Sequence, residues 1–194
     1  MLMTRFTVLI APNPILRKKA EPVALVDDSI KKLLKDMEET MNAEDGIGLA
    51  APQIGISKRL IVMNVPANVS VAGEMIDNLE SEPSLFFLVN PEIVSKSDDF
   101  ATCQEGCLSV PKQYADVVRY ASVVVRYRDE NGKLSEREFK NLQSACIQHE
   151  IDHLDGKMFF DRVSNLRKTR VLKKYKLQQK TNYANIIKVK CNDS

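Results

Sequence analysis

Several features that would assign this chain to a broad class are scarce or missing in its sequence. The four cysteines have no paired spacing, which argues against a disulfide scaffold and favours a reducing compartment. No stretch approaches the ~20 apolar residues that span a membrane, and Pro12 and Pro14 interrupt the apolar run that begins at Phe6, unlike a signal peptide. The net charge of +2 is too small to indicate DNA binding. The 194-residue sequence therefore predicts a cytoplasmic protein with no membrane partner.

Histidine is scarce as well, and both histidines lie in one motif, Gln148-His149-Glu150-Ile151-Asp152-His153. Residues four apart lie one turn above each other on one face of a helix, so the two imidazoles can bind a single metal ion. Glu150 stands beside them as a proton carrier. A chance match is the alternative, but the flanking residues contain neither Gly nor Pro and favour a helix.

The helix that carries this motif is predicted at 142–154, with Asn141 as its N-cap. Its apolar residues form two stripes, which predicts a central, buried helix. Leu142, Ala145 and Cys146 lie one to two turns before the histidines and are predicted to form an apolar pocket for a substrate side chain. Ordinary core packing is the alternative for these three residues.

The motif supplies two ligands, whereas a catalytic site commonly holds its metal with three protein groups. H-E-x-x-H proteases take the third ligand from a further His or Glu downstream of the motif, but this chain has no third histidine and no glutamate after Glu150. Cys107 is favoured instead, because Gly106 permits sharp backbone geometry before the strand-like run that follows. Cys103 and Asp161 remain alternatives.

A second segment with a chemical pattern is the glycine-containing run at 46–55. Gly46, Gly48 and Ala51 resemble a dinucleotide fingerprint, but a helix precedes them and Pro52 comes directly after Ala51, so a dinucleotide site is rejected. Glycines allow another backbone to approach closely. We therefore predict that Gly46, Ile47 and Gly48 belong to a loop that forms the rim along which a peptide substrate runs.

Apolar periodicity and turn residues predict the elements around these segments. A helix is predicted at 28–41. Strands are predicted at 59–65, 85–94, 117–127 and 134–139, the last two joined by a hairpin turn. Residues 66–83 have no clear period and are predicted to form an extended surface excursion.

The segments 46–55, Glu105–Val110 and Gln148–His153 together resemble the three signature segments of the peptide deformylase family, in the family's order. The resemblance covers about residues 5–180. It implies an α+β fold in which mostly antiparallel sheets wrap around a central metal-binding helix, with a C-terminal helix. It also implies an enzyme that removes the formyl group from N-formylmethionine at the N-terminus of newly synthesised polypeptides and releases formate. Residues 1–194 are then one catalytic domain.

The resemblance implies a role for each residue of these segments. The metal ligands are Cys107, His149 and His153. Glu150 accepts a proton from the attacking water and returns it to the departing amine. The Gln53 side chain and the Leu108 backbone N–H stabilise the carbonyl oxygen. The residues that contact the substrate or orient the site are Gly46, Ile47, Gly48, Glu105, Gly106, Leu142, Ala145 and Cys146.

One divalent metal ion is implied by the same resemblance, Fe²⁺ in cells, for which Zn²⁺, Ni²⁺ or Co²⁺ can substitute. The sequence itself does not choose among these ions. One departure from the family pattern is Tyr114, which stands where several relatives carry an arginine that braces this region.

The C-terminal region is the most basic part of the chain, since no acidic residue occurs between Arg162 and Lys180. It predicts a basic helix at about 164–180, capped by Ser164 and followed by a loose tail at about 184–194. A solvated surface is the simplest interpretation of this charge. A cationic helix also suits ribosomal RNA, and some relatives are thought to dock on the ribosome through this element.

Two other functions are weighed against deformylation. A zinc endopeptidase is disfavoured because the usual downstream ligand is missing. A structural metal module commonly uses four ligands with paired cysteines, and only three convincing ligands occur here.

Overall fold

The computed structural model describes residues 5–76 and 84–192, with side chains up to residue 179. The described residues form three α-helices and seven strands. The helices are α1 (Asp28–Ala43), α2 (Asn141–Leu154) and α3 (Asn165–Asn192). The strands are β1 (Gly48–Ala50), β2 (Leu60–Asn64), β3 (Leu85–Lys96), β4 (Phe100–Glu105), β5 (Ala115–Tyr120), β6 (Ser122–Arg128) and β7 (Leu134–Lys140).

The strands form two antiparallel sheets. The larger sheet has the order β1-β2-β3-β6-β7, and β4 pairs with β5 in a separate two-stranded sheet. Helix α2 contacts strands of both sheets, so it occupies the centre of the molecule. This architecture confirms the predicted α+β fold with antiparallel sheets around a central helix and a helix at the C-terminal end.

Helix α2 is buried along nearly its whole length, as its two apolar stripes predicted. Ile147, Ile151 and Leu154 pack against Met63 and Phe139 of the larger sheet. The helix begins at Asn141 rather than after it, and its N-cap is Lys140. Asn141 has a positive φ of 53°, which asparagine tolerates better than most residues.

The glycine segment differs from its prediction as a loop. Gly48–Ala50 forms strand β1, which pairs with β2 through Leu49 and Val62, and a 3₁₀ turn follows at Ala51–Ile54. A strand forms here because Leu49 and Ala50 are fully buried between α1 and α2. Strand β1 lies at the edge of the larger sheet.

The C-terminal helix is longer than predicted. It begins after Ser164 and runs to Asn192, so the predicted end near 180 and most of the predicted loose tail at 184–194 are wrong. The physical reason is that 165–192 contains neither Gly nor Pro to end the helix. Val171 and Tyr175 anchor α3 to the body of the protein, and the Tyr175 hydroxyl donates to the carbonyl oxygen of Ala11 at 2.9 Å.

The predicted excursion at 66–83 is described only as far as residue 76, and its remainder lies outside the described residues. Its first part contains a short bridge between Val69 and Met75. The carbonyl of Val69 accepts a hydrogen bond from the Leu142 N–H at 3.2 Å, so this part of the segment packs on the start of α2. No described helix is long and apolar enough to cross a membrane.

Candidate metal centre

Helix α2 presents its two imidazoles to one point beside a cysteine. The Nε2 atoms of His149 and His153 are 3.2 Å apart, because the residues lie one turn from each other. The Cys107 Sγ lies 3.2 Å from the His153 Nε2, although 46 residues separate the two in sequence. The ligand atoms of these three residues all lie within 4.8 Å of one another. The three predicted ligands therefore meet in space.

The two alternatives for the third ligand lie elsewhere. The Cys103 Sγ contacts the carbonyl oxygen of Val71 at 3.6 Å, and this cysteine does not belong to the cluster. The Asp161 carboxylate forms ion pairs with Arg17 and Lys168 and does not belong to the cluster either. Neither group is available to an ion between the imidazoles.

A buried network of charges holds the His149 ring. Its Nδ1 lies 2.7 Å from the Glu105 Oε2, so the carboxylate accepts the ring proton and leaves Nε2 facing Cys107 and His153. The Arg119 guanidinium donates to both oxygens of Glu105, at 2.7 and 2.9 Å. It also donates to Asp152 at 2.6 Å.

Sequence reasoning predicted the orienting role of Glu105 but missed Arg119 and Asp152. In the structure, strand β5 alternates in exposure, and Arg119 stands two residues after the buried Val117, on the inward face. The sequence hides this alternation, because Val118 on the exposed face is apolar as well. A charged residue at an inward position requires a buried partner of opposite charge.

The Cys107 thiol has a depressed pKa. Burial raises this pKa, but the neighbouring His153 charge and hydrogen bonds from His149 and His153 outweigh burial and bring it to about 5. The thiolate is therefore the dominant form at neutral pH, and the thiolate is the form that binds metals.

Glu150 is buried next to the same cluster. Burial raises the pKa of its carboxyl, and the nearby imidazoles of His149 and His153 only partly offset this. Its Oε2 has no hydrogen-bond partner within the described part of the chain. A buried carboxylate that is left unpaired is costly, and such groups are common where protons are transferred.

Gln53 comes to the site from the 3₁₀ turn after β1. Its Oε1 accepts a hydrogen bond from the Ala50 N–H at 2.8 Å, which fixes the amide. The Nε2 then donates towards the Cys107 Sγ at 3.6 Å and the Ser109 Oγ at 3.3 Å. The amide N–H groups are thus directed to the metal cluster.

A cavity of about 530 Å³ opens beside these groups, and we call it the active-site cavity. Every residue predicted to contact the substrate lines it, as do the predicted catalytic residues: Gly46, Ile47, Gly48, Gln53, Glu105, Gly106, Leu108, Leu142, Ala145, Cys146 and Glu150. A Cβ atom on Gly48 would lie 2.5 Å from the Glu150 Oε1, so only glycine lets β1 approach α2 this closely. Burial raises the pKa of Cys146 well above its usual value, so its thiol is neutral and lines the cavity as a small apolar group.

The residues present fit a divalent metal ion. They offer one thiolate and two imidazole nitrogens, a set that suits Zn²⁺ and similar first-row ions, with room left for a further ligand. When bound, such an ion supplies Lewis-acid chemistry, which acidifies water and polarises a carbonyl group. Among the described residues, the Glu150 Oε2 beside the cluster has no hydrogen-bond partner, which fits a site in which protons are transferred.

A central helix, a Cys/His/His group that could hold a metal ion and an adjacent buried carboxylate together form the arrangement of a metal-dependent hydrolase. A sequence profile described as Polypeptide deformylase matches residues 6–169. The chain therefore belongs to the polypeptide deformylase family, whose members remove the formyl group from N-terminal formylmethionine. This confirms the predicted enzyme class and sets aside the endopeptidase and the structural module.

Individual relatives agree with this assignment. Peptide deformylase of Bartonella quintana (strain Toulouse) is 42% identical over 173 residues, 89% of this chain and 92% of that protein. Peptide deformylase of Phenylobacterium zucineum (strain HLK1) is 45% identical over 173 residues, 89% of this chain and 96% of that protein. A crystal structure of peptide deformylase from Ehrlichia chaffeensis superposes with a TM-score of 0.79 at 36% identity, covering 91% of this chain and 97% of that one.

Proposed function

We propose that Cys107, His149 and His153 hold the divalent ion of this deformylase and that Glu150 transfers the protons of the reaction. The observation that carries the proposal is the convergence of the three ligand atoms within 4.8 Å, next to a buried carboxylate. The reaction joins water to the formyl carbon and breaks the bond from that carbon to the N-terminal nitrogen. Glu150 takes one proton from water and delivers it to the leaving nitrogen.

The carbonyl oxygen becomes negative as water adds, and two donors of this chain stabilise it. We assign this role to the Nε2 group of Gln53, which its bond to Ala50 fixes in place, and to the Leu108 backbone N–H. Both residues line the active-site cavity. Fixed donors stabilise developing charge without reorganising during the reaction.

The same cavity accounts for selection of formylmethionine. The methionine side chain enters the pocket formed by Ile47, Leu142, Ala145 and Cys146, which are apolar and line one cavity. The peptide backbone runs along Gly48 and pairs with the free edge of β1, in the manner of an added strand. Ile47 is 48% exposed, so it closes the pocket at its mouth.

Formate release from formyl-Met-Ala by anaerobically purified protein, with its metal content measured in the same sample, tests this assignment. We expect activity in proportion to a single bound divalent ion per chain. We propose Fe²⁺ as the ion in cells because of the resemblance to the deformylase family, since the ligand set alone does not choose among divalent ions. A ferrous ion held by a thiolate is sensitive to oxygen, which is why the purification is anaerobic. Activity that is independent of metal content would contradict the assignment.

We also propose contact with the ribosome through α3, whose exposed cations favour a polyanion. Ribosome co-sedimentation at several salt concentrations tests this proposal. We expect that reversing the charges of Lys173, Lys174 and Lys176 weakens binding most at low salt, whereas unchanged binding would refute it. A cytoplasmic location remains a prediction from the sequence.

A further inference from the structure

A second concave surface of about 700 Å³ lies between the segment after Cys107 and helix α3. It is lined by more positive side chains than negative ones, and we call it the basic groove. Its cations are Lys112, Arg167, Arg170, Lys173 and Lys174. None of these five residues has a place in the reaction described above.

The basic groove is continuous with the active-site cavity. Both are lined by Gln104, Lys112, Gln113 and Tyr114, so they share a wall. Tyr114 is 63% exposed at this junction. A peptide that leaves the cavity past Tyr114 therefore enters the groove directly.

Helix α3 holds the cationic wall in a fixed position. Val171 and Tyr175 are buried against the body of the protein, and the Gln113 Nε2 donates to the Gln178 Oε1 at 2.8 Å. Arg167, Arg170 and Lys174 follow one another at intervals of three and four residues, so they lie on one face of the helix.

The charge of the groove is not neutralised by its own residues. Asp116 is the carboxylate among its lining residues, and it faces five cations. The Asp116 Oδ2 lies 3.8 Å from the Arg167 Nη1, and both side chains are more than half exposed. Such an exposed pair is weak. By contrast, the other rim of the active-site cavity carries the acidic residues Glu44 and Asp45.

We propose that the basic groove binds the third and following residues of the formylated peptide and selects peptides that are acidic there. The proposal rests on the deformylase function above and names a substrate class for it. The helix face from Arg167 to Leu177 is about 15 Å long at 1.5 Å per residue. It accommodates about four residues of an extended chain at about 3.3 Å each.

The test compares kcat/KM for three substrates in which formyl-Met-Ala-Ser is followed by four aspartates, four serines or four lysines. We expect the aspartate peptide to exceed the serine peptide by ~10-fold at low ionic strength, because opposite charge raises the rate of encounter. The lysine peptide falls below both. The differences shrink as salt is added, since the Debye length falls to about 3 Å at 1 M salt.

A matched pair of variants on α3 locates the effect. Lys174→Glu reverses a charge that lines the groove, whereas Lys176→Glu reverses an exposed charge on the same helix that lies outside it. We expect Lys174→Glu to lower the aspartate-to-serine ratio by ~3-fold or more, and Lys176→Glu to change it much less. Both variants retain kcat/KM for formyl-Met-Ala, which is too short to reach the groove.

Equal kcat/KM for the three long peptides overturns this proposal and leaves the deformylase function standing. Absence of formate from formyl-Met-Ala instead overturns the function itself. A ratio that Lys174→Glu and Lys176→Glu change equally also overturns the proposal. If Lys174→Glu weakens ribosome binding and leaves the peptide ratio intact, the groove serves RNA and the proposal is wrong.

Discussion

At the scale of single residues, Cys107 and Glu150 show that the groups in contact with a side chain, and not burial alone, decide the direction of its pKa shift. Burial raises the pKa of both groups, but the Cys107 Sγ lies 3.2 Å from the His153 Nε2, and the pKa of the thiol falls to about 5. Glu150 has an oxygen without a hydrogen-bond partner among the described residues, and its pKa rises. These opposite shifts agree with the roles proposed for the two residues, Cys107 as a metal ligand and Glu150 as a proton carrier.

The first prediction concerns Glu150→Gln, which keeps the shape of the side chain and removes its ability to accept a proton. We expect kcat for formyl-Met-Ala to fall by at least ~10²-fold, the usual contribution of a general base. Metal content, measured by mass spectrometry of the purified protein, stays at the wild-type level. Turnover near the wild-type rate would show that another group accepts the proton.

The second prediction concerns the methionine pocket. Leu142→Trp fills the cavity, and we expect kcat/KM for formyl-Met-Ala to fall by ~10- to 100-fold, because burial of an apolar side chain contributes about 1.5–3 kcal/mol. Leu134→Trp, on an exposed position of β7, is the control and should retain activity. A formyl-Gly-Ala substrate, which has no side chain to lodge, should lose less. Equal losses for the two substrates would refute the pocket.

At the scale of elements, prediction from the sequence succeeded where a single apolar pattern covered the whole element. It failed where two consecutive strands belong to different sheets. Helix α2 was predicted almost to its ends because its apolar stripes and its motif agree. The run 117–127 was predicted as one strand, whereas Ala121 separates β5 from β6 and the two belong to different sheets. Both halves are rich in valine and contain a tyrosine, so their composition contains no mark of the break.

The site also contains residues that the sequence could predict and residues that it could not. His149, Glu150 and His153 could be predicted because local spacing on a helix fixes their relation. The partnership of Arg119 with Glu105 and Asp152 could not, because it joins two strands and a helix that only the tertiary structure brings together.

The third prediction concerns Asp161, which ties the start of α3 to the N-terminal region. Burial raises the pKa of its carboxyl, but hydrogen bonds from Lys168, the Met158 N–H and Arg17 outweigh it and hold the pKa below the usual 3.8. A carboxylate with a depressed pKa stabilises the fold above its usual pKa, and that contribution disappears as the pH falls through the lower folded value.

We therefore expect Asp161→Asn to lower the free energy of unfolding at pH 7 by about 1–3 kcal/mol, the scale of a hydrogen bond to a charged group. The difference from wild type should narrow as the pH falls below 3.8. Urea unfolding at a series of pH values measures it, with the exposed Asp98→Asn as the control. A difference that is constant with pH would rule out the ion pairs as its source.

At the scale of the whole molecule, the metal centre lies where the two sheets meet. Cys107 follows β4 of the small sheet, whereas the histidines belong to α2, which packs against the large sheet. An ion bound by all three residues therefore cross-links the two halves of the core. Binding to the folded state alone also stabilises it by mass action.

The fourth prediction is that chelation of the metal lowers the thermal stability of the protein. At a free metal concentration ~100-fold above Kd the gain is about 2.7 kcal/mol. For a chain of this size that corresponds to a rise in Tm of about 5–10 °C. Calorimetry before and after chelation measures the shift, and restored Zn²⁺ should reverse it. Cys107→Ala should show little response, and an equal shift in that variant would place the metal elsewhere.

The position of strand β1 at the edge of the sheet bears on when a polypeptide can be a substrate. An edge strand recognises only an extended partner, because its hydrogen-bonding groups repeat with the spacing of a strand. A protein whose first residues have already coiled into a helix or joined its own sheet offers no such partner. If the substrate pairs with β1 as proposed, the enzyme has to act while the N-terminal residues of the polypeptide are still extended, before folding buries them. Competition between folding and deformylation then sets which proteins keep their formyl group.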